Sequence, residues 1–172
     1  MRAMRTLTPI LCVLALSACA SDDEAFEPED PGDTLSNIKP CPSDVPETEI
    51  GMRVDGAQGA LRAELIDADD LPATKGLNDW VVRFTDIDGA AVDDLELESG
   101  DVVGKMAGHT HGLNHDPVIE SLGEGTFEVG EINLFMDGRW SLTFSPTSQA
   151  GSDDMTFDLC TAASIAAAED EP

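Results

Sequence analysis

Between residues 59 and 160 apolar and polar side chains alternate in short runs, and a period of two predicts strands. In GALRAELIDA, 59–68, Leu61, Ala63 and Leu65 alternate with Arg62 and Glu64, although these residue types also suit a helix. Trp80, Val82 and Phe84 alternate with Val81, Arg83 and Thr85, the pattern of a half-buried strand. Asp88-Gly89 supplies the positive φ of a tight hairpin, after which Val92, Leu95 and Leu97 of AAVDDLELE are expected to face inward, with one irregularity. Short strands are expected at 101–107 and, past the break at Asp116-Pro117, at 117–122, with Gly123–Gly125 as a loop. Along TFEVGEINLFM, 126–136, Phe127 and Val129 have one parity and Ile132, Leu134 and Met136 the other, which predicts a bulge at Gly130. Asp137-Gly138 is the strongest hairpin signal, and Trp140, Leu142 and Phe144 alternate behind it. After a polar loop, Met155, Phe157 and Leu159 form a closing strand.

Strands this short, separated by regular turn signals, predict an all-β fold: an immunoglobulin-like antiparallel β-sandwich of about seven strands. The expected core is Trp80, Val82, Phe84, Phe127, Leu134, Trp140, Leu142 and Phe157. The sandwich is assigned to 41–160. The tail TAASIAAAEDEP, 161–172, is acidic, with room for a short helical turn.

The first forty residues change this picture. Arg2 and Arg5 precede an apolar run, Leu7–Leu16, that is too short to span a bilayer, so residues 1–18 read as a signal peptide. Leu16-Ser17-Ala18-Cys19 resembles a bacterial lipobox, which implies a lipidated Cys19; a plain secretory signal cleaved nearby is the alternative. Several acyl chains on one residue give stable anchoring. Residues 19–40 are acidic and rich in Pro, Gly and Ser, a composition expected to stay disordered as a tether. The implied location is the cell envelope, periplasmic side, and Ala20-Ser21 lacks the Asp that retains some lipoproteins at the inner membrane, which favours the outer one.

The formal charge is −26, and loss of Arg2 and Arg5 with the leader takes it to −28. That field repels nucleic acid and anionic lipid and favours cations, and no basic patch interrupts it. A saline habitat accounts for such acidity as well as function does. Cys41 and Cys160 are the cysteines left once Cys12 and Cys19 are set aside. In an oxidising compartment two remaining cysteines pair; as metal thiolates they lack any CxxC spacing. The bond would close most of the domain into one loop, worth roughly 4–5 kcal/mol in chain entropy.

Candidate chemistry is concentrated in KMAGHTHGLNH, 105–115, which holds all three histidines, His109, His111 and His115, with Met106 just upstream. Met136 follows in FMDGRW. Three imidazoles within seven residues are a concentrated set of soft-to-borderline donors, which suits copper or zinc. Zinc is less favoured, since no cysteine or carboxylate lies near the histidines at structural-site spacing. A Gly-rich exposed turn without a ligand is the plain alternative. Asp86-Ile87-Asp88-Gly89 resembles the start of a calcium loop but lacks its later oxygen donors, so a hairpin turn is the better reading. There is no nucleophile–base pairing or phosphate loop, and no enzyme activity is expected.

From Gly76 to Phe144 the chain resembles the YtkA-like domain, related to FixH-type periplasmic domains. The matching pieces are GLNDWVV at 76–82, DIDGAAVD at 86–93, MAGHTHG at 106–112, GTFEV at 125–129 and MDGRWSL at 136–142. The resemblance implies a small non-catalytic envelope sandwich that accompanies copper or cytochrome-oxidase functions. It also puts Met106, His109, His111 and Met136 where that family concentrates Met and His. Asp137 stands where the family commonly has proline, which alters the turn. The expected function is therefore binding or handling of copper, with a copper-handling or oxidase-assembly protein as partner. The alternative is an interaction module that docks another envelope protein and binds no metal.

Overall fold

The computed structural model describes residues 40–109, 112–149 and 151–169. The leader, Cys19, nearly all of the expected tether, His111 and the last three residues of the tail lie outside the described residues.

Ten strands follow in chain order: β1 (Arg53–Asp55), β2 (Leu61–Ala68), β3 (Gly76–Asp86), β4 (Val102–Met106), β5 (Val118–Gly123), β6 (Thr126–Leu134), β7 (Arg139–Phe144), β8 (Thr147–Ser148), β9 (Gly151–Ser152) and β10 (Met155–Cys160). Among the described residues one α-helix, α1 (Ala162–Glu169), closes the order. One sheet has the order β1-β2-β3-β6-β5, a second β10-β7-β4, and β8 pairs with β9 as a small ribbon. All pairings are antiparallel. With β1 set aside, β2-β3-β6-β5 opposite β10-β7-β4 is the four-plus-three arrangement of the immunoglobulin constant-type sandwich.

Alternation builds the core as expected. Trp80, Val82 and Phe84 of β3, Phe127 and Leu134 of β6, Trp140 and Leu142 of β7 and Phe157 of β10 are all buried. Aromatic rings join the two sheets, Trp80 meeting Phe157 edge-on at 5.8 Å and Phe84 meeting Phe144 at 6.1 Å, while Phe144 and Phe157 of the neighbouring strands β7 and β10 meet at 5.8 Å within one sheet. Such pairs add about 0.5–1.5 kcal/mol each beyond their buried area. The stretch 61–68, open to either reading in the sequence, is strand because its Leu61, Ala63 and Leu65 all enter this core.

The parity change in β6 is a bulge. Trp80 faces Val129 and Asn78 faces Ile132, so two steps along β3 match three along β6. Glu131, rather than Gly130, takes the left-handed conformation (φ 59°), and its N–H donates to Asp79 Oδ1 at 2.7 Å. The extra residue lets Phe127, Val129, Ile132 and Leu134 all point inward.

Three local expectations need correction. First, 90–98 is not a strand: it makes only isolated bridges, Thr85 to Ala91 and Glu96 to Thr147, although Leu95 and Leu97 are buried. This segment carries the chain from one sheet to the other, so its apolar residues cover the end of the core instead of joining a ladder. Second, Asp137-Gly138 does not close a hairpin, because β6 and β7 belong to different sheets. Third, a two-residue hairpin lies at Glu124-Gly125, expected only as a loop; both residues have positive φ (51° and 72°), as a type I′ turn requires.

A disulfide joins Cys41 to Cys160 across 119 residues, with the Cα atoms 6.0 Å apart. It ties the segment before β1 to the end of β10. Ala162–Glu169 of the tail is helical, and the start of this helix is part of the fold: Thr161 and Ser164 are buried, and the Ala162 N–H donates to Ala73 O at 2.8 Å.

Candidate metal cleft

The candidate site forms where β4 ends beside the crossing from β6 to β7. Pairing with β7 sets Met106 opposite Trp140, and the Ala107 N–H extends the ladder by donating to Arg139 O at 2.9 Å. The chain then reverses in a turn over 106–109, closed by the His109 N–H on Met106 O at 3.2 Å. Gly108, at the third position, takes φ +79°, which glycine adopts without strain. That turn brings His109 back beside Met106.

Across the cleft, Met136 rides on the crossing. Its carbonyl accepts the indole N–H of buried Trp140 at 3.0 Å, and Phe135 packs edge-on against the same indole at 5.4 Å. Gly138 then passes so close to Met106 that a Cβ there would stand 2.6 Å from the Met106 methyl. Thr161 fixes this loop from behind. Its hydroxyl accepts from the Gly138 N–H at 3.1 Å and donates to Asp137 Oδ1 at 3.2 Å, and its own N–H donates to Gly138 O.

The third wall is Pro40 and Pro42, delivered by the disulfide at Cys41. Together these elements enclose a cleft of about 390 Å³ whose lining includes Met106, His109, Met136, Asp137 and Arg139. The Arg139 guanidinium is paired with Asp158 at 3.3 Å and more loosely with Asp44 at 3.9 Å, which tempers its repulsion of a cation.

Met106, His109 and Met136 are thus brought to one cleft, Met106 nearly buried, Met136 half-buried and His109 exposed. His115 is not. The Leu113 side chain packs onto Gly104, where a Cβ would stand 2.5 Å from its Cδ2. This contact draws 112–115 back along β4, away from Met106. His115 lies in a separate recess with Gly112 and Asp116, its Nε2 3.5 Å from Glu131 Oε2. Among the described residues no three His, Cys, Asp or Glu side chains gather closely enough to hold a metal ion. The cleft thus offers two thioethers and one imidazole, donor types that suit a soft monovalent ion.

The acids singled out elsewhere serve the fold. Asp86 Oδ1 accepts the Ala90 N–H at 2.7 Å, capping the turn that resembled a calcium loop. One carboxylate escaped notice in the sequence. Burial opposes the charge on Asp153, yet the N–H groups of Gln58, Leu61, Ala60 and Asp154 outweigh it and hold the carboxyl below its usual range. Nothing in GSDDM distinguishes Asp153 from Asp154, because its donors come from a turn more than ninety residues away. Arg139 and Thr161 were equally unmarked, since Arg139 reaches the cleft through the pairing of β7 and Thr161 touches its loop through hydrogen bonds to Asp137 and Gly138, neither of which spacing reveals. Comparison of the chain with protein-family models, with curated proteins and with solved structures finds no match.

Proposed function

We propose that this chain is an envelope accessory protein that handles copper, holding the monovalent ion in the cleft between the 106–109 turn and the Met136–Arg139 crossing. One observation carries the reading: Met136, far along the sequence from Met106 and His109, lines a single cleft with them. Met106 and Met136 would supply soft sulfur and His109 a borderline nitrogen, a set that prefers copper to zinc or calcium. The net charge of −26 favours cation approach. The resemblance to YtkA-like domains points the same way, as does a lipidated Cys19 holding the sandwich at the outer membrane, near a copper-handling or oxidase-assembly partner. The role is binding and delivery, without catalysis.

A titration of the full chain with copper(I) against a chromogenic chelator tests this. One saturable site of micromolar or tighter affinity is expected, weakened about tenfold or more in His109→Ala and Met136→Leu, and unchanged in His115→Ala. Absence of a saturable site, or equal loss in His115→Ala, contradicts the reading. A second reading, docking of another envelope protein, is favoured by Val118 and Leu122. Both are more than half exposed on the edge strand β5.

A further inference from the structure

We infer that the Cys41–Cys160 disulfide is a thiol-exchange site, and that its reduction by a dithiol partner opens the cleft and lowers its hold on a soft metal ion; the second half rests on the copper reading above. Three observations converge on it.

The first is a shared wall. Pro40 and Pro42 line the Met/His cleft, and Cys41 between them lines a neighbouring groove together with Cys160 and the same Pro42. The bond therefore anchors, at Cys41, the short segment that stands between groove and cleft.

The second is access. The groove behind the wall, about 220 Å³, is lined by both cysteines with Val45, Pro46 and Ile165. Cys160 is 2% exposed and Cys41 is half-buried, so the Cys41 sulfur is the one an incoming thiolate meets.

The third is asymmetry in how the walls are held. The Met136–Gly138 side is fixed by Thr161 and Trp140, and the Met106–His109 side by β4 and its turn. Among the described residues, the polar contacts that hold the proline wall besides the disulfide are the Cys41 N–H on Ser164 O at 2.9 Å and the loose Asp44–Arg139 pair. Cutting the bond removes the covalent tie from this wall alone and leaves those of the others in place.

The exchange balances. A thiolate of the partner attacks the Cys41 sulfur, forming a mixed disulfide and expelling Cys160 as a thiolate. The partner's second thiol then closes its own disulfide and frees Cys41. Two electrons and two protons pass to the chain, and the dithiol is oxidised.

The test uses the full chain and its Cys41→Ser/Cys160→Ser variant, which lacks the bond and offers no thiolate to the metal. Copper(I) affinity is read by chelator competition, and folding by near-ultraviolet circular dichroism of Trp80 and Trp140. In parallel, the oxidised protein is incubated with dithiothreitol without denaturant and its thiols are trapped. The expected result is reduction under native conditions, together with a folded double variant that binds at least tenfold more weakly. Equal affinity in a folded variant, a bond that resists the dithiol until the chain is denatured, or a variant that unfolds would each overturn the inference while leaving the copper reading intact. No binding by the oxidised chain would instead remove the copper reading, and the control of affinity with it.

Discussion

Asp153 sets the terms at the scale of single residues. Its carboxylate is fully buried and meets four backbone N–H groups, three of them from 58–61, so one side chain holds the β1–β2 turn against the start of β10. Gly56 leaves the room it needs, since a Cβ there would collide with the carboxylate. Asp153→Ala strands these donors and is expected to lower stability by about 3 kcal/mol, measured by urea unfolding. The sign of the pH effect follows from the depressed folded-state pKa. The contribution is complete above the unfolded-state value of about 4 and is lost as pH falls through the lower folded-state value. Acid unfolding of Asp153→Asn should therefore show a shallower pH slope than the parent; equal slopes would contradict the assignment.

Among the elements, alternation within a one-sided strand is the feature most plainly legible. β3 and β7 are buried on one face only, so their alternation is written into adjacent residues. The bulge in β6 was legible because the extra residue shifts apolar parity in plain view. Asp137-Gly138 marks the opposite case: a dipeptide announces a reversal but not which strand receives the chain, and pairing of β7 with β4 and β10 is decided by distant residues. The same crossing carries Met136, so the error in topology and the position of the cleft wall share one cause. Likewise, three histidines in one short stretch looked like one cluster, and the packing of Leu113 on Gly104 that removes His115 could not be read from spacing. Gly138 is where fold and cleft meet, with φ +142° and the Met106 methyl against it. Gly138→Ala is expected to lower stability by about 1–2 kcal/mol and to displace Met106, weakening copper(I) affinity in the same variant. Unchanged affinity would show that Met106 is core alone.

For the whole molecule, the disulfide stands outside the immunoglobulin-like core. It joins the segment before β1 to the end of β10, while the aromatic contacts between the sheets involve β3, β7 and β10. Removing it is expected to lower stability by about 4–5 kcal/mol, through the entropy of the unfolded chain, and to leave the sandwich folded in water. Guanidinium unfolding of the reduced, alkylated protein checks this; a change below about 1 kcal/mol would mean the unfolded chain gains little from the cross-link. In the proposed function the net charge of −26 favours cations near the cleft lined by Met106, His109 and Met136. Under the same reading charge brings the ion near, and sulfur with imidazole selects it. X-ray absorption at the copper edge of the full chain loaded with one equivalent of copper(I) puts this to the test. Nearest-neighbour scattering from both sulfur and imidazole nitrogen is expected, with the sulfur signal reduced in Met136→Leu; a shell of oxygen and nitrogen alone would contradict it.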